Sequence, residues 1–205
     1  MLNSINAQIE ANFGFKLTGI WPDPALNTLA QAGVDFRQAF HLDPLVRLNW
    51  MQRLEIRAGK MSYEGLTSRG LVRLNPENLS LWTVVHELAH AWDSSQDWTL
   101  SLQMMTATHS WGPPTILHGL YPLEKRYWYH VGAPPPPCGV DQNFNRKEDF
   151  AEAVTAFVYP EEASRRATAR GYPYSQYGYL RFSQTPRGKF IAALAESLQE
   201  QEKAL

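Results

Sequence analysis

The chain has 205 residues with 19 basic and 20 acidic side chains, which give a formal net charge of -1 at pH 7. Its hydrophobic fraction of 44% can build a core and excludes an intrinsically disordered protein, and the balanced charge argues against a general nucleic-acid binder, which would carry a basic excess. Because Cys138 is the only cysteine, an intramolecular disulfide and a cysteine-cluster metal site are excluded.

Location and domain number also follow from simple patterns. The chain has no run of 18 apolar residues, so it predicts no membrane span. The first ten residues lack the basic and apolar regions of a standard signal peptide, so we expect a cytoplasmic protein or one exported without such a peptide. The length predicts a single domain, residues 1–205, with a sheet-and-helix part of about residues 1–97 and a helical part of about residues 98–205.

The first 75 residues predict one helix and a small sheet. Pro22 and Pro24 precede a helix of about residues 25–31. Residues 53–58 alternate apolar and polar side chains, and residues 70–75 repeat this extended pattern. We expect the two extended segments to belong to a small sheet with antiparallel pairing.

The clearest helix is predicted to begin at Asn75. This side chain can accept a hydrogen bond from a backbone N–H as the N-cap, and Pro76 at the first helical position loses nothing by lacking its own N–H. Apolar residues then recur at three- and four-residue spacings, so the pattern predicts a helix that runs to about Asp93.

The second half of the chain predicts a long irregular connection followed by helices. Residues 98–145 hold seven of the 14 prolines and four charged side chains, which favours an irregular segment with room for one short helix, either a surface loop or the wall of a cleft. Residues 147–159, which Pro160 follows, predict a second strong helix. A last amphipathic helix is expected over about residues 186–202.

The first strong helix contains an HExxH motif formed by His86, Glu87 and His90. Side chains four residues apart lie on the same face of a helix, so the two imidazoles can point at one cation. Zinc accepts imidazole nitrogen at about 2.0–2.1 Å, and the pair supplies two of the three protein ligands of a catalytic site. The motif therefore predicts one zinc ion per chain, with Glu87 as the general base that takes a proton from the attacking water.

A catalytic zinc site needs a third protein ligand. Gln96 stands where the extended metzincin pattern requires a histidine, which excludes that branch. The remaining candidates are Glu148, Glu152, Asp141, His109 and His118. The first two are favoured because they lie four residues apart at a helix start, where one could bind the metal while the other orients a histidine. Asn145 and Glu148 also fit a capping box, which would explain the carboxylates without a metal.

Together the HELAHAWD motif that begins at His86 and the EDFAE motif that begins at Glu148 resemble the gluzincin branch of the zincin metallopeptidases. The similarity is to the catalytic domain of anthrax lethal factor and its relatives and, more loosely, to the Mlc titration factor peptidases. This resemblance implies that His86, His90 and Glu148 bind zinc, that Glu87 is the base and that Glu152 contacts a zinc ligand.

The resemblance, which covers about residues 69–159, also implies a fold and a substrate. The fold would be α+β and zincin-like, with a small mixed sheet packed on the active-site helix and a helical C-terminal part. An edge strand, here residues 70–74, would bind an extended peptide by strand addition. The expected function is that of a zinc endopeptidase that hydrolyses a protein or peptide substrate.

One position departs from the lethal-factor pattern, which places an oxyanion-stabilising tyrosine seven residues before the ligand glutamate. This chain has Asp141 there, and the candidates for that role are Tyr127, Tyr129, His130 or a tyrosine of residues 172–179. The departure also fits a degenerate zincin scaffold that binds a protein partner without turnover. A second alternative is a SprT-like protease with His118 as third ligand, although the chain lacks the cysteine-rich zinc ribbon of such proteins.

Overall fold

The computed structural model describes residues 4–43, 48–108, 145–169 and 182–203. These residues form seven α-helices and a four-stranded mixed sheet, so the predicted α+β class is confirmed. The chain divides into two compact units, one of Met1–Asp97 with Ala195–Leu205 and one of Trp98–Leu194. The single domain stays a prediction. None of the described helices combines the length and the apolar character needed to cross a membrane.

In its residues 1–97 the first unit contains three helices and the sheet. Its elements are α1 (Ser4–Phe13), β1 (Lys16–Thr18), α2 (Asp23–Ala39), β2 (Glu55–Ala58), β3 (Gly65–Ser68), β4 (Leu71–Leu74) and α3 (Leu81–Ser95). The helix predicted for residues 25–31 is confirmed as α2, which is longer at both ends. It begins earlier because Pro22 and Pro24 lie at its start, where a missing N–H is tolerated.

The strands lie in the order β1-β2-β4-β3. β1 pairs with β2 and β2 with β4 in parallel, whereas β3 pairs with β4 antiparallel. The sequence pattern predicts β2 and β4, but the antiparallel pairing expected for them is wrong. The unpredicted β3 takes the antiparallel position, because a two-residue turn joins it to β4. The second turn residue, Gly70, has a φ of 68°, which glycine adopts without strain.

The edge strand is β3 and not the predicted segment of residues 70–74. β4 occupies that segment and is paired with β2 on one side and with β3 on the other. Within the described part of the chain, β1 and β3 are the outer strands, so only these two can pair with a further strand.

The helix α3 begins at Leu81 and not at Pro76, which corrects the predicted start. Ser80 is the N-cap, and its hydroxyl oxygen accepts a hydrogen bond from the backbone N–H of Thr83 at 3.1 Å. The side chain of Asn75 is used elsewhere: its Oδ1 accepts from the backbone N–H of Glu77 at 3.2 Å, and its Nδ2 donates to the carbonyl oxygen of Met61 at 3.1 Å. Asn75 therefore holds a turn in front of the helix.

Aromatic side chains form the centre of the first unit's core. Phe36 and Phe40 stack with 4.5 Å between ring centroids, and both meet Trp92 edge-on at 6.2 and 5.6 Å. Trp92 also stacks on Trp50 at 6.3 Å. Because α3 contacts α2 as well as β3 and β4, the helix that carries Trp92 is held between this cluster and the sheet.

The second unit is helical in its described residues. It contains α4 (Thr99–Ala107), α5 (Arg146–Val158), α6 (Pro160–Ala169) and the first part of α7 (Pro186–Lys203). α5 and α7 confirm the helices predicted for residues 147–159 and 186–202, and α4 is the short helix for which residues 98–145 have room. Most of the predicted irregular connection, residues 109–144, lies outside the described residues.

An ion cluster on α6 predicts a small pH dependence of stability. Hydrogen bonds from Arg165 at 2.6–2.7 Å and from Arg166 at 2.8 Å lower the pKa of Glu162 from 4.5 to about 2. A lowered pKa gives stability that is complete above pH 4.5 and is lost as the pH falls towards 2. We expect Glu162→Gln to reduce the free energy of unfolding at pH 7 by about 0.5–1 kcal/mol, with the difference from wild type disappearing near pH 2. Denaturant unfolding at the two pH values measures this, and an equal difference at both would contradict it.

Candidate metal centre

The HExxH motif lies in the middle of α3, and its two imidazoles converge. His86 is half-buried, whereas His90 is buried with 8% of its surface exposed. The Nε2 atoms of the two rings are 3.1 Å apart, and the ring centroids are 4.7 Å apart with nearly perpendicular planes. This is the convergence that the four-residue helical spacing predicts, and it aims both nitrogens at one point in space.

A carboxylate lies close to the histidine pair. His86, His90 and Glu148 each offer one ligand atom, and the three atoms lie within 4.8 Å of one another. The group is thus close enough to bind a metal ion. Of the third-ligand candidates that the structure describes, Glu148 and not Glu152 belongs to the group.

The position of Glu148 follows from the way α5 begins. Asn145 is the N-cap, and its Oδ1 accepts a hydrogen bond from the backbone N–H of Lys147 at 2.9 Å. Arg146 then ties the first turn to α4, because its Nη1 donates to the carbonyl oxygen of Trp98 at 2.8 Å and to the hydroxyl of Ser101 at 3.2 Å. Glu148 is therefore presented from a capped first turn that its neighbours fix on α4.

Glu87 is buried against the edge strand β3. Its side chain has 6% of its surface exposed, and Oε2 accepts a hydrogen bond of 2.6 Å from the hydroxyl of Thr67. A Cβ added to Gly65 would lie only 2.6 Å from Oε1 of Glu87, so the carboxylate occupies the space that a side chain at position 65 would fill. Sequence reasoning missed both strand residues, although a glycine inside a strand is a known sign of close approach.

Among the other predicted site residues, Glu152 lies within the described part of the chain and the rest lie outside it. Glu152 lies one turn after Glu148 on α5 with 2% of its surface exposed, and its contact with a zinc ligand stays a prediction. Other candidates lie outside the described residues, namely Tyr127, Tyr129, His130, Asp141, His109, His118 and the tyrosines of residues 172–179. The identity of the oxyanion-stabilising residue therefore stays a prediction from the sequence.

The arrangement offers two distinct chemical groups. Two imidazole nitrogens and one carboxylate oxygen form a donor set for a divalent cation. Glu87 adds a second carboxylate that does not belong to the donor group and is directed at β3 by its hydrogen bond. Metal-assisted hydrolysis uses a metal-binding group together with a carboxylate that can act as a base.

Comparison with known proteins adds no identification. The chain matches no protein-family model, no curated protein and no solved structure. The resemblance to the gluzincin branch therefore rests on its two short motifs, and the structure adds the proximity of His86, His90 and Glu148.

Proposed function

We propose that this protein is a zinc-dependent endopeptidase that hydrolyses peptide bonds with Glu87 as general base. The observation that supports the proposal is the group of His86, His90 and Glu148, whose ligand atoms lie within 4.8 Å of one another. Two of these residues were predicted from a helical motif and the third from a separate motif 58 residues further along the chain, so their proximity was not guaranteed by local structure.

The donor set fits zinc in both chemistry and size. Two histidines and one glutamate are a known ligand combination of catalytic zinc, in which the fourth position is left for water or substrate. Ligand atoms about 2.1 Å from a tetrahedral ion lie roughly 3.4 Å from one another. Distances of up to 4.8 Å therefore need only a small side-chain adjustment to reach coordination distance.

The donor set and Glu87 then have separate roles in hydrolysis. A zinc ion bound by the donor set would supply Lewis-acid chemistry, since it lowers the pKa of water and polarises a carbonyl group. Glu87 follows the first donor histidine directly, and its carboxylate is the group that accepts the proton of the attacking water and returns it to the leaving amine. Because Glu87 is buried, bulk water is kept away from its carboxylate. The electrostatic interactions of the carboxylate are therefore stronger than they would be in water.

The outer edge of β3 is the proposed binding place for an extended peptide. β3 is paired on one side by β4, and no other strand of the described residues pairs with its second side. Two large apolar side chains are exposed here, that of Tyr63 just before the strand and that of Leu66 within it. A substrate strand added here would gain main-chain hydrogen bonds beside the residues that hold Glu87, in the manner of the gluzincin branch that the motifs resemble.

The ligand assignment is tested by zinc binding. We expect Glu148→Gln to weaken zinc affinity by about 100-fold or more, because an amide oxygen is a weaker ligand than a carboxylate, and we expect His86→Ala and His90→Ala to act similarly. The matched control is Glu161→Gln, which removes an exposed carboxylate on α6. Competition against a zinc chelator measures the affinity, and elemental analysis counts zinc per chain.

Two outcomes would contradict the assignment. A wild-type chain that binds no zinc, or Glu148→Gln with the affinity of Glu161→Gln, would remove the proposed ligand set. If His118→Ala abolished binding while Glu148→Gln did not, the SprT-like alternative would replace it.

A further inference from the structure

Side-chain hydrogen bonds join α3 to the edge strand β3 and to the residue before it, at two points one helical turn apart. Before the strand, Glu64 accepts a hydrogen bond from the hydroxyl of Thr83 in the first turn of α3. One helical turn further, the hydroxyl of Thr67 lies 2.6 Å from Oε2 of Glu87 and 3.1 Å from its backbone carbonyl oxygen. The strand is therefore tied to the helix both where the helix starts and at the proposed base.

Gly65 and Thr67 act on the carboxylate from the same side of the strand. Residues two apart in a strand share a face, and both of these face α3. A Cβ at position 65 would come within 2.5 Å of Cγ, 2.6 Å of Oε1 and 2.8 Å of Cδ of Glu87. The glycine therefore leaves room for the acid, and the threonine two residues later holds one of its oxygens.

We propose that Thr67 is a positioning residue that orients the carboxylate of Glu87 and that Gly65 provides the space this orientation requires. The inference rests on the proposed function, since it concerns the base of that reaction. With Oε2 held by the hydroxyl of Thr67, Oε1 is the oxygen that accepts the proton. β3 is also the proposed place of the substrate strand, so one element sets the distance between the base and the peptide.

Kinetic comparison of two variants tests the positioning role. Thr67→Val has the shape of threonine without its hydroxyl, and we expect it to lower kcat by about 10- to 100-fold, the effect of losing a hydrogen bond to a charged group. KM should stay within about twofold and zinc content should be unchanged. Thr67→Ser keeps the hydroxyl and should restore kcat to within about threefold of wild type.

The matched control is Thr83→Val, which removes the other hydrogen bond between this part of the chain and α3. It should lower the melting temperature without lowering kcat, because the hydroxyl that it removes bonds to Glu64 and lies 2.7 Å from that of Ser80, whereas the carboxylate of Glu87 is held by Thr67. The assay uses the peptide that the wild type cleaves best from an internally quenched library of mixed sequence. Equal kcat for wild type and Thr67→Val, or equal losses for the valine and serine variants, would overturn the proposal.

A second measurement does not depend on catalysis. In a double-mutant cycle of thermal unfolding, Thr67→Val should lower Tm more in the wild-type background than in the Glu87→Ala background, where the hydroxyl keeps only its contact with the backbone carbonyl oxygen of residue 87. An equal change in Tm in both backgrounds would show that Thr67 does not interact with the side chain of Glu87. If the wild type cleaves no peptide, the proposed function fails, whereas the cycle still decides whether Thr67 holds Glu87.

Discussion

Replacing Glu87 with glutamine is expected to lower kcat/KM for peptide cleavage by about 10²- to 10⁴-fold, the usual contribution of a general acid–base residue. Glutamine has the size of glutamate and its amide oxygen can accept the hydrogen bond from Thr67, so the surroundings of the side chain are preserved. An amide cannot take the proton of the attacking water. Because Glu87 does not belong to the three-residue donor group, one zinc per chain should remain.

Three measurements on the same variant separate the possible explanations. Elemental analysis gives the zinc content, thermal unfolding reports the fold, and kcat/KM gives the catalytic loss. Glu148→Gln is the informative comparison, since it should lose zinc and activity together, whereas Glu87→Gln should lose activity alone. Cleavage that survives in Glu87→Gln with the metal retained would remove the proposed mechanism.

The same experiments address the non-catalytic alternative. A wild type that holds zinc, cleaves no peptide of a broad library and binds a protein partner stoichiometrically would be a degenerate zincin scaffold. Asp141 is the sequence feature that favours this outcome, because it stands where a lethal-factor-type enzyme has an oxyanion-stabilising tyrosine. Zinc-dependent cleavage that Glu87→Gln abolishes would exclude the scaffold alternative.

Two asparagines show where local sequence reasoning about helices succeeds and where it fails. Asn145 caps α5 as its sequence neighbourhood predicts, since its side chain accepts from the backbone N–H two residues later. Asn75 makes the same local bond to Glu77, but no helix follows directly. Its backbone N–H donates to the carbonyl oxygen of Glu64 at 2.9 Å and its side chain donates to Met61, and these longer-range bonds hold it in a turn. Tertiary contacts therefore decide whether an asparagine in such a sequence caps a helix or holds a turn.

The sheet was only half predictable for a similar reason. β2 alternates polar and apolar residues and β4 has three aliphatic side chains, whereas β3 reads Gly-Leu-Thr-Ser and has a single aliphatic side chain. Its small residues face α3, where Gly65 and Thr67 accommodate Glu87. The features that hid the strand from pattern reasoning are those that it needs to lie against the proposed base. Missing β3 led directly to the wrong pairing and the wrong edge strand.

In the candidate site, too, the features set by local sequence were predictable and those set by contacts between distant residues were not. The convergence of His86 and His90 follows from helical geometry alone and was therefore predictable. Choosing Glu148 as the third donor needed a second motif and a resemblance, because no local rule connects residues so far apart in sequence. Thr67 could not be found at all, since its role depends on how β3 is placed on α3.

A second large effect is expected from the buried ion pair between Asp149 and Arg187. Nε of Arg187 donates to Oδ1 of Asp149 at 2.7 Å and Nη2 donates to Oδ2 at 3.1 Å, with 2% and 0% of the two residues exposed. Arg187→Met leaves the carboxylate buried without its main positive partner, so we expect the free energy of unfolding to fall by about 3–5 kcal/mol. Guanidinium unfolding of the zinc-free and zinc-bound chain measures the change.

The double variant Asp149→Leu with Arg187→Met distinguishes loss of the pair from loss of packing. It removes both charges and replaces them with apolar side chains of similar volume, so its stability should lie within about 1–2 kcal/mol of wild type. Since Asp149 directly follows Glu148 on α5, Arg187→Met should also weaken zinc binding by about tenfold, and the double variant should restore it. An equally unstable double variant would mean that the shape of the arginine, and not the charge of its partner, holds α7 to α5. In that case the ion pair could not be the device that fixes the helix carrying the third donor.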